Sequence, residues 1–273
     1  MKHGLAILAV CSSFLGAPAQ AAVVSIPSFA DTFVTAGSAT AGAGNPDANY
    51  GGAGAMQISG SSTTKGAMQA LLKFDLLTAK NTFDGTFGVG KWAIDGITLQ
   101  LGTNFGTQGI QPNNPIFNAV NTGSFKFDWL AFDSWGGEGS GNPGSPFIPS
   151  NPPTDGVTWN TIGLLLGATD ENLGTFTYTP VGNTNPPNVP AANYPLGLTT
   201  GFVGDATAGN VVSLRGYAAD LGVAYLFNAH SFGSNSPTLL VSAVATPEPT
   251  TAALLGLGVL ALRTRRRRHA LEA

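Results

Sequence analysis

Apolar and polar residues alternate with a period of two along the middle of the chain. The stretch Ala70–Leu76 alternates apolar side chains with the charged Lys73 and Asp75. Other strand-like runs are Ile94–Leu101, Ser124–Trp129, Gly174–Thr179, Asp31–Val34, Ala55–Ser59, Val211–Tyr217, Val223–Phe227 and Thr238–Ala243. Period-two alternation is typical of half-buried strands in antiparallel sheets. The pattern therefore predicts about nine strands and an all-β, jelly-roll-like antiparallel β-sandwich.

The hydrophobic pattern gives little indication of helices. One short helix is predicted at Leu196–Ala206, and the chain has 37 glycines and 18 prolines, residues that favour turns. Three long loops are predicted at Gly42–Gly54, Gly136–Gly156 and Asn183–Pro195. No linker divides the middle of the chain, so we expect one domain at residues 22–245.

The first 21 residues have the layout of a secretory signal peptide. Lys2 precedes an apolar stretch, Leu5–Leu15, and then Ala19-Gln20-Ala21, which predicts cleavage after Ala21 or Ala22. The alternatives are a buried N-terminal helix or a lipid attached at Cys11. Cys11 is the single cysteine, so the exported body would have neither a disulfide nor a thiolate metal site.

The charge of the body argues against nucleic acid as a partner. Between Val23 and Thr246 there are thirteen acidic and only six basic residues. Phosphate contacts need clustered lysine and arginine, so we exclude nucleic-acid binding.

The C-terminal segment, residues 246–273, has an unusual order of parts. Pro247-Glu248-Pro249 precedes the uncharged run Thr250–Leu262. A basic cluster follows: Arg263, Arg265, Arg266, Arg267 and Arg268. Thirteen helical residues span about 20 Å, short for a membrane, but arginines extend the reach and stay on the cytoplasmic side. The two prolines keep the intervening peptide extended and exposed to a protease.

This segment resembles the PEP-CTERM sorting signal. The resemblance implies transient anchoring in the inner membrane and processing at Pro247–Pro249 by an exosortase, a membrane protease of Gram-negative bacteria that make exopolysaccharide. Mature protein would then lie at the cell surface or outside the cell. An ordinary tail anchor is the alternative.

A second resemblance concerns the body. Asp31–Val34, Asn45-Pro46, Asn49-Tyr50-Gly51 and Leu71–Leu76, with Val157–Asn160 and Ala224–Ala243, resemble a DNRLRE-type domain. Such domains are similar to carbohydrate-binding modules with a β-sandwich fold. The long Gly136–Gly156 loop departs from that pattern.

Catalytic signals are weak in the body. Its one histidine, His230, has no partners for a metal cluster, and neither a nucleophile elbow nor a P-loop is present. A glycosidase pair remains an alternative among these acids: Asp128, Asp133, Glu138, Asp155, Asp170 and Glu171.

Two kinds of binding site are predicted instead. The first is a calcium site. Side chains that carry oxygen alternate at Asn45, Asp47 and Asn49 in a flexible loop, and Asp31 is expected to lie close to them. Ca²⁺ is bound by such oxygen ligands. Asx-turns are the alternative use of the loop residues. Trp135 starts a Gly-rich loop, so we expect an exposed sugar-stacking platform flanked by Asp133 and Glu138.

We therefore expect a non-catalytic glycan-binding module that works with envelope or matrix polysaccharide. A structural or adhesive matrix protein without a sugar site is the main alternative, and a polysaccharide-degrading enzyme is the third. Trp129 and Trp159 are predicted to lie in the core.

Overall fold

Eleven strands, two α-helices and two short 3₁₀-helices, Ile162–Leu165 and His230–Phe232, make up the regular structure of the residues that the computed structural model describes. Those residues are 21–38, 44–102, 122–137, 146, 148–178, 191–233 and 235–246. The strands are β1 (Ala21–Pro27), β2 (Ala30–Thr35), β3 (Ala55–Ser59), β4 (Met68–Asp75), β5 (Trp92–Leu101), β6 (Gly123–Leu130), β7 (Glu171–Tyr178), β8 (Ala192–Pro195), β9 (Val211–Ala218), β10 (Ala224–Asn228) and β11 (Thr238–Ala245). The helices are α1 (Leu77–Phe87) and α2 (Thr200–Ala208). Within these ranges neither helix has the length and apolar character needed to cross a membrane.

The strands form two antiparallel sheets that pack face to face. The smaller sheet has the order β1-β11-β5-β8. The larger has the order β10-β3-β4-β9-β6-β7, and β2 also pairs with β4. Each of the nine predicted strands overlaps one of β2–β7 or β9–β11. The predicted all-β sandwich is therefore confirmed.

The main hydrophobic core lies between the sheets and is rich in aromatic rings. Phe125 and Phe127 of β6 are fully buried, with their ring centroids 5.8 Å apart in an edge-to-face arrangement. Tyr225 of β10 is also fully buried, and its hydroxyl oxygen accepts a hydrogen bond from the Tyr194 hydroxyl at 3.1 Å. Burying each such side chain stabilises the fold by about 1.5–3 kcal/mol.

Several elements lie outside the predictions. Helix α1 carries Gly85 and three threonines, so its helix propensity is low, but Ala79 and Phe83 are one turn apart and pack into the main core. The predicted helix at Leu196–Ala206 is displaced toward the C-terminus, as α2. The sequences of the edge strands β1 and β8 give no clear alternation. The predicted signal peptide, apart from Ala21, and the apolar sorting segment fall outside the described residues.

A second hydrophobic cluster covers part of the outer face of the larger sheet. We call it the outer cluster, and it consists of Val34, Leu71, Leu130, Trp135, Val157, Ile162 and Leu165. Its first three members point away from the main core on β2, β4 and β6, and the others belong to the connection between β6 and β7. The segments on either side of the predicted Gly136–Gly156 loop therefore fold back onto the sheet and cover part of its outer face.

Candidate functional site

Trp135 lies in the middle of the outer cluster and is not exposed. Its side chain is only 3% accessible, and its indole Nε1 donates a hydrogen bond to the Ser213 hydroxyl at 2.9 Å. The ammonium of Lys73 lies 4.5 Å from the centroid of the ring and donates to the Trp135 backbone carbonyl. The prediction that Trp135 offers an exposed sugar-stacking face is therefore wrong.

Close backbone packing explains this difference. A Cβ atom on Gly136 would lie 2.6 Å from the Thr154 carbonyl oxygen, and one on Gly137 would lie 2.8 Å from Cβ of Ala30. The two glycines let the loop approach neighbouring chain segments, so they mark tight contact rather than free solvent exposure. The Gly136 amide also donates to the Pro153 carbonyl at 3.0 Å, which fixes the loop on which Trp135 sits.

Asp133 and Lys73 are polar residues at the edge of the contact between the Trp135 loop and the larger sheet. Burial raises the pKa of Asp133, while its hydrogen bond with the Ser213 hydroxyl and the charge of Lys73 act in the opposite direction. Burial lowers the pKa of Lys73, and the Asp133 charge opposes that effect. Perturbed groups of this kind occur at catalytic sites and in structural networks alike. Here both groups hold a loop against a sheet. Glu138, the third predicted glycan contact, lies outside the described residues.

Another part of the outer face, outside the outer cluster, carries a group of neighbouring polar side chains. We call it the polar patch, and its residues are Gln69, Lys126, Asp128, Asn172, Arg215 and Tyr217. They lie on β4, β6, β7 and β9, and register brings them together: Asp128 is opposite Arg215 on one side and Asn172 on the other. All are at least partly solvent-accessible.

The internal contacts of the polar patch fix its shape. Arg215 places its guanidinium 4.5 Å from the centroid of the Tyr217 ring and donates from Nε to the Gln69 side-chain oxygen at 2.8 Å. Asp128 accepts hydrogen bonds on Oδ1 from Asn172 at 2.8 Å and from the Tyr217 hydroxyl at 3.3 Å. The patch therefore presents an aromatic ring, a guanidinium and a carboxylate in one ordered array.

Burial shifts the titration of two patch residues. It lowers the pKa of Arg215, although the charge of Asp128 counteracts this effect. Burial also raises the pKa of Tyr217, with Asp128 adding to the shift. Arginine is protonated at neutral pH in general, and the raised pKa keeps the Tyr217 phenol neutral, so both side chains can donate hydrogen bonds.

The four predicted calcium ligands have separate hydrogen-bond partners. Asn45 and Asn49 accept backbone amide bonds from the residues two positions ahead, at 2.9 and 2.8 Å, which are Asx-turns. Asp47 accepts from the Asn160 amide at 2.6 Å, and the fully buried Asp31 accepts from the His230 backbone N–H at 2.6 Å. No group of three or more His, Cys, Asp or Glu side chains in the described ranges is placed to hold a metal. Each of the four side chains therefore has a hydrogen-bond partner within the protein, and calcium binding stays a prediction.

The remaining candidate acids that the structure describes have structural partners. Asp155 accepts from the Ser150 hydroxyl at 2.8 Å, and Asp170 accepts backbone amides of the neighbouring loops. Glu171 receives the Gly201 and Phe202 amides at 2.9 and 3.0 Å, at the start of α2. The Thr199 hydroxyl and these amides lower the pKa of Glu171. Each carboxylate thus stabilises a turn or a helix end.

The predictions for the tryptophans are partly confirmed. Trp129 lies in the main core at 7% exposure, as expected. Trp159 is only half-buried and packs at the margin of the outer cluster. Trp92, for which the pattern gave no preference, is buried, and its Nε1 donates to Asp84 at 2.8 Å.

The comparison with known families concerns the C-terminal end. Residues 245–268 match the PEP-CTERM protein-sorting motif. The resemblance seen at Pro247–Pro249 and at the arginine cluster is thereby confirmed. The motif marks an exported chain that is anchored transiently in a membrane and processed by an exosortase, a membrane protease, before it reaches the surface or the exterior. No curated protein matches the chain, and the DNRLRE-type resemblance stays a prediction.

Proposed function

We propose that the body of this exported protein is a non-catalytic module that binds envelope or exopolysaccharide glycan of a Gram-negative bacterium. The observation that carries the proposal is the polar patch, an ordered aromatic–guanidinium–carboxylate array on a sheet face that is partly solvent-accessible among the described residues. Sugars are bound by hydrogen bonds to their hydroxyl groups and by packing of their apolar C–H faces on a ring. Asp128, Arg215 and Tyr217 supply both kinds of contact within one patch.

A matched pair of substitutions tests this role. Asp128→Asn keeps the side-chain size and an oxygen acceptor but removes the charge, so the fold should survive. Losing one strong contact costs about 1–3 kcal/mol, equivalent to a fall in glycan affinity of about tenfold or more. Asp95→Asn is the control, because Asp95 is an exposed aspartate of the smaller sheet that also accepts a side-chain hydrogen bond, from Ser242 at 2.6 Å.

The measurement is a glycan array followed by titration calorimetry on the processed protein. We expect wild type and Asp95→Asn to bind the same glycan alike and Asp128→Asn to bind it weakly. Equal binding by all three proteins would remove the polar patch from the proposal. Release of reducing ends from the bound glycan would contradict its non-catalytic character.

A second candidate function is a structural or adhesive matrix protein without a sugar site. Two observations favour it: the Trp135 ring is buried, and the Asp128 carboxylate already accepts hydrogen bonds from its neighbours. Absence of glycan binding, together with self-association or retention in the matrix, would support this candidate.

A further inference from the structure

The last strand of the folded body overlaps the start of the sorting motif. Ala245, the first residue of the motif match, is the last residue of β11 and is paired with Trp92. The next amide, that of Thr246, donates to the Lys91 carbonyl at 2.9 Å. Only Pro247-Glu248-Pro249 then separates the sheet from the uncharged run that begins at Thr250.

This short connection limits how far the body can move from the membrane. An extended chain advances at most about 3.6 Å per residue, so the path from Thr246 to Thr250 is no longer than about 14 Å. While the apolar run anchors the precursor, the end of the sandwich that contains Thr246 must stay within that distance of the run.

The turn between α1 and β5, Gly88–Lys91, lies at this end of the sandwich. Val89 is 80% exposed at its tip, between Gly88 and Gly90, which adopt left-handed φ angles of 96° and 69°. Lys91 is exposed as well, and its carbonyl is the acceptor that holds Thr246. An exposed apolar side chain next to a lysine is suited to the interface of an anionic lipid surface.

We propose that the Gly88–Lys91 turn contacts the membrane lipid surface in the anchored precursor. Val89 enters the headgroup region, Lys91 lies near lipid phosphates, and cleavage by the exosortase ends the contact. The predicted signal-peptide junction is at the same end, because Ala21 pairs with Val244. The opposite end of β1 is about 20 Å away, at about 3.3 Å for each of its residues. This inference rests on the sorting motif and is independent of glycan binding.

Depth-dependent quenching tests the contact. Without its signal peptide, a precursor that begins at Ala22 has no cysteine, so single cysteines can be labelled with a fluorophore. The probe position is Val89→Cys, and the matched control is Phe29→Cys, a 48%-exposed apolar residue just beyond the far end of β1. Both proteins are reconstituted in phosphatidylethanolamine–phosphatidylglycerol vesicles with headgroup-level nitroxide lipid. We expect several-fold stronger quenching at position 89, and equal quenching at the two positions would overturn the proposal.

A linker variant tests whether the short connection imposes the contact. About twelve Gly/Ser residues inserted between Thr246 and Pro247 add a root-mean-square reach of about 19 Å. Quenching at position 89 should then fall to the level of the Phe29 control, whereas unchanged quenching would refute the tether argument. Circular dichroism checks folding, and the exposed Thr86→Cys, in the last turn of α1, replaces Val89→Cys if that variant fails to fold.

Discussion

Replacing Trp135 by alanine is the strongest test of the outer cluster. The substitution removes a side chain that is 3% exposed, its hydrogen bond to Ser213 and its contact with the Lys73 ammonium. Truncating a buried tryptophan to alanine costs about 3–5 kcal/mol, a figure that includes the cavity left behind. The hydrogen bond accounts for about 1 kcal/mol of this loss and the cation–π contact for about 0.5–2 kcal/mol.

The attachment of the β6–β7 connection to the sheet sets an upper limit on the stability lost in Trp135→Ala. If the β6–β7 connection detaches before the sandwich unfolds, Trp135→Ala can cost no more than the free energy that holds the connection to the sheet. The control Trp135→Phe keeps an aromatic ring and loses the Nε1 donor. Ser213 keeps Asp133 as a partner, so this variant should cost only about 1 kcal/mol. Trp159→Ala should also cost less than Trp135→Ala, because Trp159 is half-buried.

Urea unfolding of the processed protein measures these differences. Circular dichroism follows the sheets, and tryptophan fluorescence follows the outer cluster together with the main core. A Trp135→Ala midpoint equal to that of wild type, or a larger loss for Trp159→Ala, would show that Trp135 does not organise the loop. Separate fluorescence and dichroism transitions would show that the loop detaches on its own.

Three further predictions concern carboxylates and calcium. Glu171→Gln should destabilise the protein by about 1 kcal/mol at pH 7 in thermal or urea unfolding, because the charge sits at the N-terminus of α2. The lowered pKa of Glu171 means that wild type should lose this contribution as the pH falls through the folded-state value. The pKa of Asp133 is raised above 3.8, so the contribution of Asp133 to stability should fall as the pH rises from that value through the folded-state pKa, and the difference in unfolding free energy between wild type and Asp133→Asn should show this pH dependence. The calcium hypothesis predicts that chelation lowers the melting temperature and that added Ca²⁺ restores it, whereas an unchanged melting temperature would leave Asn45 and Asn49 with their Asx-turns alone.

The predicted strands depend on information that is local in the sequence. The alternation in Ser124–Trp129 predicts that Phe125, Phe127 and Trp129 face the core. This prediction does not require knowing which strands pair with β6. Helix α1 has no comparable pattern in its sequence, because its apolar face is narrow and its threonines and Gly85 have low helix propensity. Its packing against the smaller sheet stabilises it, and the sequence alone does not reveal that contact.

Trp135 shows why burial in a long connection cannot be predicted from the neighbouring residues in the sequence. Its glycine neighbours suggested a free loop, but the outward-facing residues Leu71 and Leu130 required a cover. Those two apolar residues on the polar side of β4 and β6 were the signal in the sequence. Because nothing in the sequence says which segment covers them, the burial of Trp135 required the tertiary structure.

The sorting motif and the polar patch differ in how they are encoded. A membrane protease acts on a contiguous peptide, so the sorting motif with Pro247–Pro249 and the arginine cluster can be recognised from the sequence alone. The patch instead depends on cross-strand register, because a slip of β9 by one residue against β6 would turn Arg215 and Tyr217 toward the core. Alternation places these side chains on the outer face without saying that Asp128 and Asn172 are their neighbours. A binding face of this kind can therefore be proposed only once the register is known, and Asp128→Asn tests the residue at which three of its strands meet.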